Sequence, residues 1–375
     1  EQNAPAPVLA LRPDFQLCPT DGPARYRLAA TELEICPSAQ GYAHAMQRGY
    51  GLAPNLAEAY AHLLAGRELL IVATAQWSEF LWDQLAFCRA LADHGARARV
   101  LLDIPIAELI NRVRSGAAWQ PPMFGVPTRP PDWDDDIPAR LARHNLAQFL
   151  DPSAGWPADV GDALVFRFGY LECFSPAQWA RMREWQARGA QFLNPPSFYL
   201  DSKVVMAALH LPALRQRIED SAPGALDALD RGIPETRLLL PETVAQPRAE
   251  QNQWVIKYAG FDRGEQAWGG RSLAVGAHFS AAEWAELLEA SLALPWPVVA
   301  QRSAPSAHID IQYEGANGQA ETFHGTTRLR SFLLREAGGA IVAGTHLTVA
   351  GEAVRVAEGV DTVQGPIVFV EGKNG

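Results

Sequence analysis

Apolar runs and helical repeats alternate in the first half of this sequence. Residues 69–74 form a short apolar run, which is typical of a buried parallel strand. Ser78 then offers a helix N-cap, apolar residues recur at helical spacing, and Gly95 ends the pattern. A second apolar run follows at residues 100–102. This β-α-β order predicts a right-handed crossover in a doubly wound sheet.

The same alternation returns between residues 164 and 196. Residues 164–168 predict a strand, and Ser175 with Gln178 forms a capping box that begins a helix ending at Gly189. Another strand follows at residues 191–193. We therefore expect an open α/β lobe over residues 1–195. Within it, residues 1 to about 50 are expected to be irregular, rich in Pro and Ala, and to end in a helical stretch.

Two polar residues lie near the carboxyl ends of these predicted strands. Ligands of open α/β sheets bind beyond such ends. Arg167 and Asn194 are therefore candidate substrate contacts, with a structural ion pair or a loop cap as the alternative for each.

The pattern changes after residue 200 and predicts an α+β module. Lys203 lies on a predicted helix, and Ser280 with Glu283 forms a second capping box. From residue 309 the pattern is mostly β, with hairpin turns at residues 314–318 and 337–339. The other predicted elements are a turn and strand at 233–240, a strand at 254–258, a Gly-rich loop at 260–271, and strands at 272–275 and 297–301.

Composition narrows the class of protein. The 375 residues are 48% hydrophobic and 20% charged, an ordinary globular balance that suffices for two or three domains. The formal net charge of −10 argues against non-specific nucleic-acid binding. The sequence contains no apolar run long enough to predict a membrane span. Its four scattered cysteines form no CxxC pair, so a reduced, cytoplasmic protein is expected.

Lysine is rare here: of 32 basic residues only Lys203, Lys257 and Lys373 are lysines. A strand lysine such as Lys257 can reach phosphate oxygens or adenine as a point charge. Snorkelling from an edge strand is the alternative for Lys257, and a solvated helix position is the alternative for Lys203.

The order of the features that follow Lys257 suits the binding of a nucleoside triphosphate. A Gly-rich loop brings backbone amides close to phosphates, although a plain turn is the alternative for Gly269 and Gly270. The strand ending at Gln301 would present its backbone to adenine. Arg328 and Arg330 share one face of a predicted strand, where they could steady a transferring phosphoryl group or form structural ion pairs.

This order resembles the ATP-grasp superfamily over residues 194 to 311, and the upstream lobe resembles the pre-ATP-grasp domain of glutathione synthetase-like proteins. The segments that carry the resemblance are Asp201-Ser202-Lys203, Ile233-Pro234-Glu235-Thr236, Val255-Ile256-Lys257, Gly269-Gly270-Arg271 and Val298-Val299-Ala300-Gln301. Each motif is short, and their order along the chain is the more specific feature.

The resemblance implies domains and site residues. It implies a pre-ATP-grasp-like domain at 1–195, a small lid subdomain at 196–300 and a β-rich part at 301–375. The metal would be Mg²⁺ or Mn²⁺; since no E-x-N pair follows residue 300, Asp310 is the metal candidate. The resemblance assigns nucleotide binding to Lys203, Lys257, Gly269, Gly270, Arg271 and Gln301, and catalysis to Arg328 and Arg330.

The resemblance also implies a function. An ATP-dependent ligase would activate a small-molecule carboxylate as an acyl phosphate, which an amine would attack. The alternatives are a catalytically inactive relative that binds a nucleotide or a protein partner, and an α/β binding protein with no nucleotide. The sequence leaves homo-oligomerisation open.

Overall fold

The computed structural model describes residues 7–22, 24–53, 55–74, 80–114, 137–151, 155–169, 174–260, 273–315, 317–351 and 362–368. Within these residues the chain is a mixed α/β protein with three β-sheets. The expected mixed α/β class is confirmed, while the arrangement in two lobes and the domain boundaries stay predictions.

The strands of the described residues are numbered in chain order. They are β1 (Ala10–Pro19), β2 (Tyr26–Glu34), β3 (Glu68–Ala73), β4 (Arg97–Leu102), β5 (Leu164–Arg167), β6 (Gln191–Phe192), β7 (Thr236–Leu238), β8 (Trp254–Tyr258), β9 (Leu273–Val275), β10 (Val298–Arg302), β11 (His308–Glu314), β12 (Ala320–Glu336), β13 (Gly339–Ala350) and β14 (Thr362–Pro366).

The helices are numbered in the same way. They are α1 (Gln40–Gly49), α2 (Leu56–Leu64), α3 (Leu81–Asp93), α4 (Ile106–Arg114), α5 (Ile137–Arg143), α6 (Pro176–Ala187), α7 (Phe198–Asp201), α8 (Val204–Ala208), α9 (Pro212–Ser221), α10 (Ala225–Gly232), α11 (Ala245–Ala249) and α12 (Ala281–Leu292). None of these helices combines the length and apolar character that crossing a bilayer requires.

The predicted parallel sheet is present, in the order β4-β3-β5-β6. Successive residues of β3 face opposite sides of the sheet, as the period of a strand requires. Ile71 packs in one apolar cluster with Leu85 of α3, and Leu70 packs in another with Met182 and Trp185 of α6. Helices therefore cover both faces, which explains why β3 is a continuous apolar run.

Both predicted capping boxes are confirmed. Ser175 accepts a hydrogen bond from the Gln178 amide at the start of α6, and Ser280 does the same for Glu283 at the start of α12. The predicted N-cap of α3, Ser78, lies outside the described residues; α3 itself begins at Leu81.

The expectation of an irregular N-terminus is wrong, although the helical stretch expected at its end is present as α1. β1 and β2 are long antiparallel strands, and β1 lies centrally in a six-stranded sheet of order β14-β13-β12-β1-β2, with β11 also paired to β12. Pro13 is unusual in such a strand because proline donates no ladder hydrogen bond. The polar residues of β1 also hid its pattern, because they are buried against other polar residues rather than exposed.

The third sheet is antiparallel, in the order β7-β10-β8-β9. Trp254 and Ile256 of β8 pack against Trp284 and Leu288 of α12. Since strand side chains alternate, this packing leaves Lys257 on the opposite face of the sheet.

A buried pair of hydrogen bonds stabilises the carboxyl end of β5 in the parallel sheet. The Asn194 side chain accepts a hydrogen bond from the Arg167 amide at 2.8 Å and donates one to the Arg167 carbonyl at 2.7 Å. The Arg167 guanidinium, fully buried, contacts both carboxylate oxygens of Asp201, at 2.6 and 2.9 Å. In this arrangement both predicted substrate contacts bind protein groups, and a role in substrate binding stays a prediction.

We expect Asn194→Ala to lower the free energy of unfolding by about 2–4 kcal/mol, because two buried backbone groups of Arg167 lose their partner. Urea unfolding followed by circular dichroism measures this change. Asn252→Ala, at an exposed position, is the matched control. Equal stability of the two variants would contradict the structural role of Asn194.

Candidate functional site

A row of ionisable side chains crosses one face of the six-stranded sheet. Asp14 of β1 is the register partner of Glu32 on β2 and of Arg330 on β12, and Arg330 is opposite His346 on β13. Directly opposed residues lie on the same face, so these four side chains are neighbours. Asp14, Arg330 and His346 are buried.

Three arginines surround Asp14. Its carboxylate lies 3.4 Å from Arg12 Nε, 3.6 Å from Arg328 Nη1 and 3.7 Å from Arg330 Nε. Burial alone would raise the pKa of Asp14, but the charges of Arg12, Arg330 and Arg328 together outweigh it and hold the pKa below its ordinary 3.8. Asp14 is therefore ionised at neutral pH.

Two lysines approach the same face from outside the sheet. Lys257 of β8 donates a hydrogen bond to the Thr31 carbonyl at 2.7 Å, and Lys203 Nζ lies 3.5 Å from Glu32 Oε1. Ser202 positions Lys203, because its hydroxyl donates to the Ala259 carbonyl just after β8. The two lysines thus converge beside Glu32, although 54 positions separate them in the chain.

Burial and charge act oppositely on this pair. Burial is the main cause that lowers the pKa of Lys257 to about 8; Lys203 and Arg328 lower it further, while Glu32 and Asp14 oppose the shift. Burial would raise the pKa of Glu32, but Lys203, Lys257 and Arg328 outweigh both that effect and the repulsion from Asp14, so the net shift is downward.

A second row lies beside the first. Arg12 and Glu34 are register partners, 3.9 Å apart between Nη2 and Oε2. We call the acidic, lysine and arginine side chains of this region the charge cluster; its members are Arg12, Asp14, Glu32, Glu34, Lys203, Lys257, Arg328 and Arg330. Five of these side chains are cationic and three are acidic, so the cluster has a surplus of positive charge.

Some hydrogen-bonding capacity in the cluster is unused. Asp14 Oδ1 and Arg328 Nε are buried and have no hydrogen-bond partner among the described residues. Buried polar atoms normally find partners, so unpaired ones call for an explanation. The unpaired donor Arg328 Nε, in a cluster with a surplus of positive charge, suits an anionic ligand, whereas the acceptor Asp14 Oδ1 suits a cation.

The acidic side chains offer limited capacity for a metal. Within the described residues, no group of three or more His, Cys, Asp or Glu is arranged to hold a metal ion. Mg²⁺ in nucleotide sites commonly uses only one or two carboxylates together with phosphate oxygens. Asp14 and Glu32, as register partners, fit that smaller requirement.

A cavity of about 740 Å³ lies beside α8. Its wall includes Val204, next to Lys203, and Thr236, which accepts a hydrogen bond from Gln301 Nε2 at 3.0 Å. Ala207, Ala208, Ile233 and Leu238 make much of the remaining wall apolar. This volume falls within the range of small-molecule pockets.

The predicted site residues divide into several groups. Lys203, Lys257, Arg328 and Arg330 come together in the charge cluster. Gln301 is buried between Thr236 and Met206. Gly269, Gly270 and Arg271 lie outside the described residues.

Asp310 lies on an exposed hairpin rather than in the cluster. Its carboxylate contacts His324 Nδ1 at 2.6 Å. Its assignment as a metal ligand stays a prediction that no neighbouring acidic side chain supports among the described contacts.

Sequence reasoning missed four members of the cluster: Arg12, Asp14, Glu32 and Glu34. A signal was present, because Arg12 and Asp14 are two positions apart, as are Glu32 and Glu34, and each pair therefore shares one strand face. Charged residues at a period of two in both segments would have suggested two adjacent strands.

Comparisons with known proteins bear on the fold. No family model matches the chain, and no curated protein matches it. A glutathione synthetase-like effector from Globodera pallida, solved in its apo form, has a TM-score of 0.52 and 12% identity over 96% of this chain and 74% of its own. A Methylobacillus flagellatus protein with the provisional name gamma-glutamylcysteine synthetase has a TM-score of 0.49 and 14% identity over 97% of this chain and 80% of its own.

The first of these similarities shows that the two chains share a fold. At 12% identity, this similarity bears on the fold alone.

His346 makes the stability of the large sheet depend on pH. Burial lowers the pKa of His346 well below its ordinary 6.5, and the charges of Arg330 and Arg12 lower it further. Below pH 6.5 the unfolded chain binds a proton at this site that the folded chain does not, so stability falls as pH falls.

We therefore expect the free energy of unfolding to fall by up to about 1.4 kcal/mol per pH unit below pH 6.5 through this residue. His346→Gln should remove that part of the slope between pH 6.5 and 5, and the exposed His62→Gln should not. Urea unfolding at each pH measures it, and identical slopes for the two variants would contradict the prediction.

Proposed function

We propose that this chain is an ATP-dependent ligase and that the charge cluster binds the phosphates of Mg-ATP. One observation carries the proposal. Lys203, Lys257, Arg328 and Arg330, to which the motif order assigned nucleotide binding and phosphoryl transfer, meet around the adjacent carboxylates Asp14 and Glu32.

The proposed reaction has two steps. A substrate carboxylate oxygen attacks the γ-phosphorus of ATP, the bond to the β-phosphate oxygen breaks, and ADP leaves. An amine then attacks the carbonyl carbon of the acyl phosphate, the amide forms and inorganic phosphate leaves with the electron pair of the broken C–O bond. The amine proton passes to solvent or to the departing phosphate.

The cluster suits the first step because the transferring phosphoryl group requires positioning and neutralisation of its charge. Arg330 is held by donating to Thr348 Oγ1 at 2.7 Å, and Arg12 by donating to the Ser38 carbonyl at 2.8 Å. Cations held in place in a site of low dielectric stabilise transition-state charge without reorganising. Lys257 and Arg328 would face the phosphate oxygens.

Asp14 and Glu32 are the residues that would hold Mg²⁺. When bound, the ion would neutralise phosphate charge and orient the triphosphate. Asp14 Oδ1 has hydrogen-bonding capacity left for this role within the described residues.

The cavity beside α8 would take the base. Its apolar wall suits a flat ring, and it adjoins Val204 and Thr236, which connect it to Lys203 and Gln301. The proposal thus places the base in the apolar cavity and the phosphates in the charge cluster.

An inactive relative would bind the nucleotide without turnover. Release of ADP on adding mixtures of amino acids or small peptides with amines would support the ligase. Binding of Mg-ATP with no ADP release across such mixtures would favour the nucleotide-binding alternative.

We expect Lys257→Met to weaken Mg-ATP binding by about 2 kcal/mol or more, because a buried charge-assisted contact is lost. Calorimetry at pH 8 should also show proton uptake by the wild type, since a bound anion favours the ammonium form of a lysine whose pKa is about 8. The uptake appears as a dependence of the binding enthalpy on the ionisation enthalpy of the buffer.

Arg183→Gln, which removes an exposed cation on α6, is the control and should bind as the wild type does. No binding by the wild type at millimolar Mg-ATP would contradict the proposal, as would full affinity in Lys257→Met.

A substitution that fills the cavity tests the binding of the base independently of the binding of the phosphates. We expect Ala208→Trp to weaken ATP binding about tenfold or more, because the indole would occupy the apolar cavity. Binding of inorganic tripolyphosphate should be unchanged, and the exposed Ala222→Trp should leave both ligands unaffected. Equal losses for ATP and tripolyphosphate in Ala208→Trp would place the base elsewhere.

A further inference from the structure

A two-stranded hairpin extends from the six-stranded sheet. It consists of β11 and the first part of β12, and among the described residues β12 is the only strand paired with β11. One face of β11 is exposed and polar, with His308, Asp310, Gln312 and Glu314. The other face is half-buried, with Ile309, Ile311 and Tyr313, and Phe323 of β12 adds a ring beside Tyr313.

The backbone of β11 has a free outer edge. At the end of the ladder the Gly315 amide donates to the Gln319 carbonyl, and hydrogen-bonded pairs alternate along an antiparallel ladder. The odd-numbered residues of β11 therefore direct their amides and carbonyls to β12. The even-numbered residues direct their amides and carbonyls outward. In the described part of the chain, these groups form no backbone hydrogen bond.

We propose that this edge pairs with the same edge of a second copy of the chain. A two-fold axis would place the two β11 strands antiparallel and would form a continuous sheet of order β12-β11-β11-β12. Closed dimers of this kind use one surface patch twice, so the patch must complement itself.

Charge selects one register. If the axis passes through Ile311, His308 lies opposite Glu314 of the second copy, and Asp310 lies opposite Gln312 of the second copy. Both pairs join a hydrogen-bond donor to a carboxylate, and all seven residues of β11 are paired.

The neighbouring registers are poorer. An axis through Asp310 places the two Asp310 carboxylates opposite each other. An axis through Gln312 places Asp310 opposite Glu314. Like charges directly opposed are unfavourable, and both registers also pair fewer residues.

The backbone agrees with the register centred on Ile311. It pairs even-numbered residues with even-numbered residues, which are the ones whose amides and carbonyls face outward. The two Ile311 side chains then meet on the half-buried face, and Ile309 meets Tyr313 of the second copy. The new sheet would thus have one apolar and one polar face along its whole width.

The strand also lacks the features that usually block edge pairing. Such features are proline, lysine and bulges. β11 contains neither residue, and its ladder with β12 runs without a register shift. A hairpin of two strands is marginally stable alone, so added strands would stabilise it.

The test uses two proline variants in one hairpin. Gln312 and Thr322 are register partners that share a side-chain hydrogen bond, so Gln312→Pro and Thr322→Pro lose the same contact. Their amides both face away from the β11–β12 ladder, Gln312 toward the proposed interface and Thr322 toward the other edge. Neither proline therefore removes a ladder hydrogen bond.

Sedimentation velocity over a dilution series measures the association. We expect the wild type to form a dimer of twice its 40.9 kDa mass, Thr322→Pro to do the same, and Gln312→Pro to raise the dissociation constant about tenfold or more. A wild type that stays monomeric at the highest concentration, or equal dissociation constants for the two variants, would overturn the proposal.

A charge exchange tests the register without altering the backbone. His308→Glu places two carboxylates opposite each other and should weaken the dimer, and adding Glu314→Lys in the same chain should restore it. Failure of the second substitution to restore association would exclude the register centred on Ile311. Far-UV circular dichroism of each variant verifies that the chain is folded.

Discussion

The ionised carboxylate of Asp14, buried among three guanidinium groups, is the contact on which the arrangement of the large sheet depends. A buried charge without partners costs several kcal/mol, so Asp14 requires Arg12 on its own strand and Arg328 and Arg330 on β12. These pairings tie β1 to β12 in one register, since a slip of one residue would turn the arginines to the other face. The sheet therefore forms around a charge that it must neutralise.

The same cluster links this sheet to the smaller antiparallel one. Lys257 faces the cluster because Trp254 and Ile256 are taken up by the core against α12. Its ammonium hydrogen bonds to a backbone carbonyl of β2, so an apolar core in one sheet sets the position of a cation in the other. A ligand that changes the charge balance here would act on the contact between the two sheets.

Much of the fold followed from local pattern, and the site did so only in part. The strands of the parallel sheet and the helices α6 and α12 were predictable because their apolar spacing and capping residues are local signals. Arg328 and Arg330 were correctly placed on one face by alternation. Asp14 and Glu32 were not found, because their partners lie on strands hundreds of residues away and buried ion pairs mimic the pattern of a polar loop. The cavity beside α8 is lined by residues between Val204 and Thr243, and it arises from the packing of α8, α9, α10 and β7 against one another, which apolar spacing within each element does not encode.

The central place of β1 has a consequence for synthesis on the ribosome. Ala10 pairs with Leu334, so β1 cannot complete its pairing until more than three hundred further residues have been synthesised. Contacts of such long sequence separation slow folding and prolong the exposure of unpaired edges. β1 and β2 can meanwhile pair only with each other, as a hairpin whose charged face lacks the arginines of β12. The outer edge of β1 therefore stays exposed until β12 has been synthesised.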